Sequence, residues 1–180
     1  LSDAGAKPIR KPPRKVTPAY LQRAAMAYLE RYASSAEQLR RVLTRKVANR
    51  CRLRGEDATE FREAIDEVVA KSLRIGLVDD ARYAQGRVAT LRRRGGSTRA
   101  IRAKLSIKGV DGETITAALQ GDDDDEEKAA LAFARRRRLG PYRVADRAPS
   151  RDKDLAALAR AGFGFGIAKR IIDAESDTDG

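Results

Sequence analysis

The chain has 180 residues, a net charge of +12, 36% charged and only 5% aromatic residues, and neither Trp nor His. That balance excludes one deep aromatic core, and it removes the commonest general acid–base and the commonest metal ligand. The single Cys51 rules out an internal disulfide and a cysteine metal cluster and points to a reducing cytoplasm, while no stretch approaches the ~18 apolar residues of a membrane span.

Residues 1–17 are basic and proline-rich (Pro8, Pro12, Pro13), which predicts a disordered arm. Thr17-Pro18 then supplies an N-cap followed by Pro at the first helical position. Leu21, Ala24, Ala25, Tyr28, Leu29 and Tyr32 recur at the spacing of one helix face. Ser34 or Ser35 caps a second helix with Leu39, Val42, Leu43 and Val47 as its apolar stripe and Arg40, Arg41, Thr44 and Arg45 on the other side. An insertion, 48–58, separates it from a third helix bearing Phe61, Ala64, Ile65, Val68, Val69 and Leu73.

The theme then repeats. Gly76 closes one helix, Leu77 is expected to pack as a staple, and Asp79 caps a helix with Ala84, Val88 and Leu91 inward, ended by Gly95-Gly96. Ser97 caps the next, with Ile101 and Leu105 inward and Gly109 as its stop, and a short helix carries Ile115 and Leu119. An acidic linker spans 121–127. Beyond it, Ala130, Leu131, Phe133 and Ala134 precede four consecutive arginines, Arg135 to Arg138.

Aligning Ser35, Ser97 and Ser150 as the starts of three second helices brings Leu43, Leu105 and Leu158 into register, and then Val47, Gly109 and Gly162. Leu39 and Ile101 align with Asp154, which breaks the pattern, so Leu155 beside it is expected to take the core position. No alternating run supports a strand. The expected fold is all-α: an elongated tandem array of three three-helix modules, 18–76, 77–120 and 128–175, behind the basic arm, with a tail at 176–180. A unit of about 45 residues buries too little apolar surface to stand alone, so neighbouring modules should stabilise one another.

Charge is blocked along the chain. Stretches 18–54 and 79–110 are strongly basic and 111–127 strongly acidic, a distribution suited to a polyanion or an acidic protein groove. The candidate contact residues are Arg40, Arg41 and Arg45 in module one, and Arg87, Arg92, Arg93, Arg94, Arg99, Arg102 and Lys104 in module two. Arg135 to Arg138 form a weaker third group, because four consecutive residues point all round a helix. No catalytic constellation, cofactor motif or metal site is expected. The acidic run lacks the ligand spacing and central Gly of an EF-hand loop, and Gly162, Gly164 and Gly166 follow no strand.

Four segments carry a family resemblance. Ala27-Tyr28-Leu29-Glu30-Arg31-Tyr32, followed by Ser35-Ala36-Glu37-Gln38-Leu39-Arg40-Arg41-Val42-Leu43, resembles the opening module of RecX proteins. Ile75-Gly76-Leu77-Val78-Asp79-Asp80-Ala81-Arg82-Tyr83-Ala84 is similar to that family's "LGLLDDERYA" segment. Ile101-Arg102-Ala103-Lys104-Leu105, leading to Lys108-Gly109-Val110, resembles the helix and basic-Gly-apolar stop of its second module, and Arg160-Ala161-Gly162-Phe163 is similar to an "RRGF" turn in the third. The insertion after Val47 and the acidic linker depart from the pattern.

The resemblance implies a cytoplasmic, monomeric, non-enzymatic regulator of recombination, DNA repair and the SOS response. Such a protein lies in the groove of a RecA–DNA filament and inhibits ATP hydrolysis, strand exchange and filament growth. Three other readings stay open on the residues alone. A stand-alone binder of single- or double-stranded DNA predicts salt-dependent binding without RecA; a scaffold for an unrelated acidic protein predicts no effect on RecA; a nuclease predicts metal-dependent cleavage.

Overall fold

The computed structural model describes residues 13–120, 123–144 and 147–174. Residues 1–12 of the expected arm and the tail at 176–180 lie outside them. Among the described residues there are helices and turns and no strand. The chain divides into two compact units, Leu1–Val78 and Asp79–Gly180.

The first unit holds α1 (Pro18–Leu29), α2 (Ala36–Arg52) and α3 (Arg62–Arg74), with a 3-10 turn over Ala58–Phe61. Local chemistry sets the starts: the Thr17 hydroxyl accepts the Tyr20 N–H and the Ser35 hydroxyl that of Gln38, each satisfying an orphan donor of the first turn. Leu21, Leu39, Leu43, Val47, Ile65 and Val69 form the centre of the core. Tyr32 and Leu73, expected on apolar stripes, are exposed. α1 stops at Leu29, before Tyr32, and Ser72 takes the buried position beside Leu73, its hydroxyl donating to the Val68 carbonyl. Leu77 is also exposed, and its neighbour Val78 enters the core instead.

The root of the arm is ordered. Val16 is buried in this core, the Arg50 guanidinium donates to the Arg14 carbonyl, and that of Arg54 donates to the Pro13 carbonyl. Residues 13–17 are therefore a strap on unit 1, held by one apolar anchor and two backbone bonds. The insertion explains the strap. α2 does not stop near Val47 but runs on to Arg52, placing Cys51 in the core and Arg50 and Arg54 beside the strap.

The second unit holds α4 (Asp80–Arg93), α5 (Thr98–Ile107), α6 (Gly112–Ala118), α7 (Asp123–Arg137), α8 (Arg147–Ala161) and α9 (Phe165–Asp173). Asp79, Ser97 and Asp111 cap α4, α5 and α6 through the N–H groups of Arg82, Ala100 and Thr114. Two cores follow, one centred on Ala84, Val88, Leu91, Ile101, Leu105 and Ile115, the other on Ala130, Ala134, Leu158, Phe163, Ala168 and Ile171. Leu43, Leu105 and Leu158, the aligned positions of the three second helices, are all at most 1% exposed. Ser150 does not cap α8, which begins at Arg147 and carries Pro149 in its first turn, where no intrahelical N–H bond is required.

The acidic stretch expected as a linker is helical from Asp123 onward. Its last two acids are held, Glu126 by Arg92 and Thr98 and Glu127 by Arg170. Asp154 is buried at the aligned position that Leu39 occupies on α2 and Ile101 on α5. Its carboxylate accepts two bonds from Arg143, at 2.7 and 2.8 Å, and one from the Gly140 N–H at 2.8 Å, and Leu155 stays only partly buried.

Candidate functional site

The basic residues singled out by sequence separate into struts and free cations once their partners are known. On α2, Arg40 is half-buried and bridges to α3: its Nε donates to Asp66 at 2.7 Å and its Nη1 to Glu37 at 2.7 Å. The Asp66 carboxylate, followed by that of Glu37, raises the Arg40 guanidinium above its ordinary value, and the Arg40 bond holds the Glu37 carboxyl below its own. Arg41 is exposed and paired with Glu37 at 2.9 Å. Arg45 is exposed and makes no ion pair among the described residues. Of the expected trio, Arg40 ties α2 to α3, Arg41 is tied to Glu37 and Arg45 faces water.

In unit 2 the same sorting applies. Arg92 is 7% exposed and cannot be a surface contact. It donates to Glu126, to the Gly96 carbonyl at 3.0 Å and to the Thr98 hydroxyl at 2.7 Å. The Glu126 carboxylate also accepts the Thr98 N–H at 2.8 Å, so it terminates the start of α5 from outside that helix. A carboxylate there also meets the positive end of the helix dipole. Arg87 is half-buried, and Arg93, Arg94, Arg99, Arg102 and Lys104 are exposed. Arg102 bonds the Thr116 hydroxyl at 3.1 Å, tying α5 to α6.

The structure brings together two groups that are far apart in sequence. Arg136 donates to the Arg94 carbonyl just past the end of α4, so the end of that helix lies against the arginine-bearing end of α7. The Arg135 guanidinium lies 5.4 Å from the Tyr142 ring centre, and those of Arg136 and Arg137 lie 5.7 and 5.9 Å from that of Phe133. The approach needs Gly95 (φ +73°): a Cβ there would stand 2.8 Å from the Phe133 backbone nitrogen. At the other end, the Ser97 hydroxyl donates to the Ala161 carbonyl at 2.6 Å. A Cβ on Gly162 (φ +99°) would come within 2.5 Å of that hydroxyl oxygen.

Sequence reasoning missed Arg52, which the continued α2 places on its exposed side. The signal was present in the four-residue spacing of Leu43, Val47 and Cys51, an apolar stripe running straight into the insertion. Among the described residues no group of three or more His, Cys, Asp or Glu side chains could hold a metal ion, and no helix is long and apolar enough to cross a membrane. What the surfaces offer is binding through guanidinium groups, which suit both carboxylate and phosphate oxygens.

Comparison with known proteins places the chain. The family model for RecX, second three-helix domain, matches residues 79–119, the span of α4 to α6. The regulatory protein RecX of Myxococcus xanthus (strain DK1622) is 46% identical over 167 residues, covering 91% of this chain and 89% of that protein. The regulatory protein RecX of Agrobacterium fabrum is 34% identical over 156 residues, covering 85% and 82%. Among solved structures, the crystal structure of RecX from Lactobacillus salivarius superposes with a TM-score of 0.64 at 22% identity, covering 86% of this chain and 94% of that one, and so shares its fold.

Proposed function

The chain belongs to the RecX family, and from that membership we propose that it is a non-enzymatic regulator that binds the RecA–DNA filament and inhibits RecA ATP hydrolysis, strand exchange and filament growth. The observation that carries the proposal is the 46% identity to a regulatory protein RecX across nearly the whole of both chains. The surface chemistry supports it: Arg45 in unit 1, and Arg93, Arg94, Arg99 and Lys104 in unit 2, are exposed and make no ion pair among the described residues. Several modest surfaces on one chain reinforce one another when they engage a repeating target together. In this role the protein works as a cytoplasmic monomer that modulates recombination, repair and the SOS response.

A stand-alone DNA-binding protein is the second reading, favoured by the same unpaired arginines. One experiment separates them: ATP hydrolysis by RecA on single-stranded DNA, titrated with this protein at two DNA concentrations. Inhibition well below stoichiometry to RecA and unrelieved by excess DNA is expected. Inhibition that disappears as free DNA rises would replace filament binding with simple competition for DNA.

A further inference from the structure

We propose that the lengthened α2 and the strap anchored on it form a ridge in unit 1 that grips the sugar–phosphate backbone of nucleic acid. This goes beyond the regulatory reading, because such a ridge binds without RecA.

The case starts from the repeat register. Past the matched leucines, α5 ends at Ile107 and α8 at Ala161, but α2 continues from Leu43 to Arg52. The inner side of the extra length is Val47 and Cys51, both 1% exposed. Its outer side is Ala48, Asn49 and Arg52, in line with Arg41 and Arg45. At 3.6 residues per turn, Arg41, Arg45 and Arg52 fall on one narrow face, about 6 and 10 Å apart along the axis.

The four arginines of this region divide by partner. Arg50 lies over the Tyr20 ring at 3.9 Å and holds the Arg14 carbonyl. Arg54 holds the Pro13 carbonyl and pairs with Glu56 at 2.7 Å. Both are committed inward, to the strap. Arg45 and Arg52 face water, and among the described residues the Arg52 guanidinium bonds the neighbouring Asn49 side chain, at 2.9 Å, and no acid. The strap adds the exposed side chains of Arg14 and Lys15 at the same end of α2, because the Arg14 carbonyl is fixed to Arg50. Two acids of this unit are engaged with other arginines, Asp66 with Arg40 and Glu56 with Arg54, while Asp57 and Glu60, close enough to Cys51 to act on its thiol, are exposed.

This composition favours phosphate over a protein carboxylate surface. A stable protein interface needs an apolar centre, whereas the ridge between Arg45 and Arg52 offers only Ala48 and Asn49. Each strand of a duplex carries a phosphate about every 3.4 Å of helix axis, so guanidinium groups about 6 and 10 Å apart meet phosphates whatever the base sequence. The expected binding is indifferent to sequence and steeply dependent on salt.

The test is fluorescence anisotropy of labelled single-stranded and duplex oligonucleotides with the full chain, RecA absent, from 50 to 200 mM salt. The Arg45→Ala/Arg52→Ala variant should lose about tenfold or more in affinity at the low-salt end, and its log–log salt slope should become shallower by roughly one to two. The Arg45→Lys/Arg52→Lys variant should keep most of the slope, and circular dichroism should show both folded. An unchanged slope in the alanine variant would overturn the ridge, as would equal binding of labelled polyglutamate. Inhibition of RecA by the same variants is read separately: it bears on the regulatory reading, and the oligonucleotide slope alone bears on the ridge.

Discussion

Replacing Glu126 by Ala should loosen unit 2 at a place where its sequence shows no apolar contact. Arg92 and Glu126 have side chains only 7% and 13% exposed, and their bond joins α4 to α7. Removing one partner of a buried pair costs about 3–5 kcal/mol, because the other charge is left without compensation. Arg92 retains the Gly96 carbonyl and the Thr98 hydroxyl, which favours the low end; the Thr98 N–H loses its acceptor, which works the other way. A loss of about 3 kcal/mol is roughly a 150-fold change in the folded-to-unfolded ratio. At the shallow end of the usual scaling that is a fall of about 12 °C in Tm.

Because the two compact units need not unfold together, hydrogen exchange read separately over α5, α7 and α2 is the better assay. Protection should fall in α5 and α7 and stay unchanged in α2. The Arg92→Leu/Glu126→Leu double variant, which leaves no charge behind, should recover most of the loss. An Glu126→Ala variant that shifts by less than about 1 kcal/mol, or a double variant no better than the single one, would refute a buried lock between these helices.

Three further outcomes are expected. The Arg143 bonds hold the Asp154 carboxyl below its ordinary value, so its contribution is complete above the unfolded-state value of about 3.9 and is lost as pH falls through the folded one. The stability gap between the parent and Asp154→Asn, measured as urea midpoints between pH 3 and 7, should be widest near neutrality and shrink below about pH 4. Gly162→Ala should destabilise unit 2 by about 2 kcal/mol or more in thermal melts, since φ +99° is strained for Ala and the new Cβ would meet the Ser97 hydroxyl oxygen at 2.5 Å. Burial pushes the Cys51 thiol up, so a thiol reagent at pH 8 should react at the opening rate of unit 1, and Val16→Ala, which thins the same core, should speed that reaction severalfold.

The parts of this fold that rest on neighbours in sequence could be read from it. Thr17, Ser35, Asp79 and Ser97 cap the helices they were expected to cap, because an N-cap bond spans only three residues. Leu43, Leu105 and Leu158 are buried for a similarly local reason, the period of a helix face. The misreadings share a different cause. Arg92 sits in a run of three arginines and looks like a solvated helix end, but Glu126 reaches it from α7. Asp154 looks like a register fault until Arg143 and Gly140 close around it. Ser150 resembles a cap, yet Pro149 is tolerated in a first turn, so α8 starts earlier. Contacts between distant segments decide which polar groups are buried, and no window of residues contains them.

Asp154 also bears on how a chain of near-copies avoids assembling out of order. Three second helices share a leucine register, so during folding each could dock into the wrong neighbour's core, a recognised hazard of repetitive chains. α8 cannot make that exchange at low cost. Seated where α2 or α5 belongs, it would bring a carboxylate into the site of Leu39 or Ile101, away from the guanidinium and the amide that satisfy it. An unpaired buried charge carries a penalty of several kcal/mol, enough to make the swapped arrangement rare. The residue that spoils the pattern of the repeat thereby works as an address label, directing α8 to its own core.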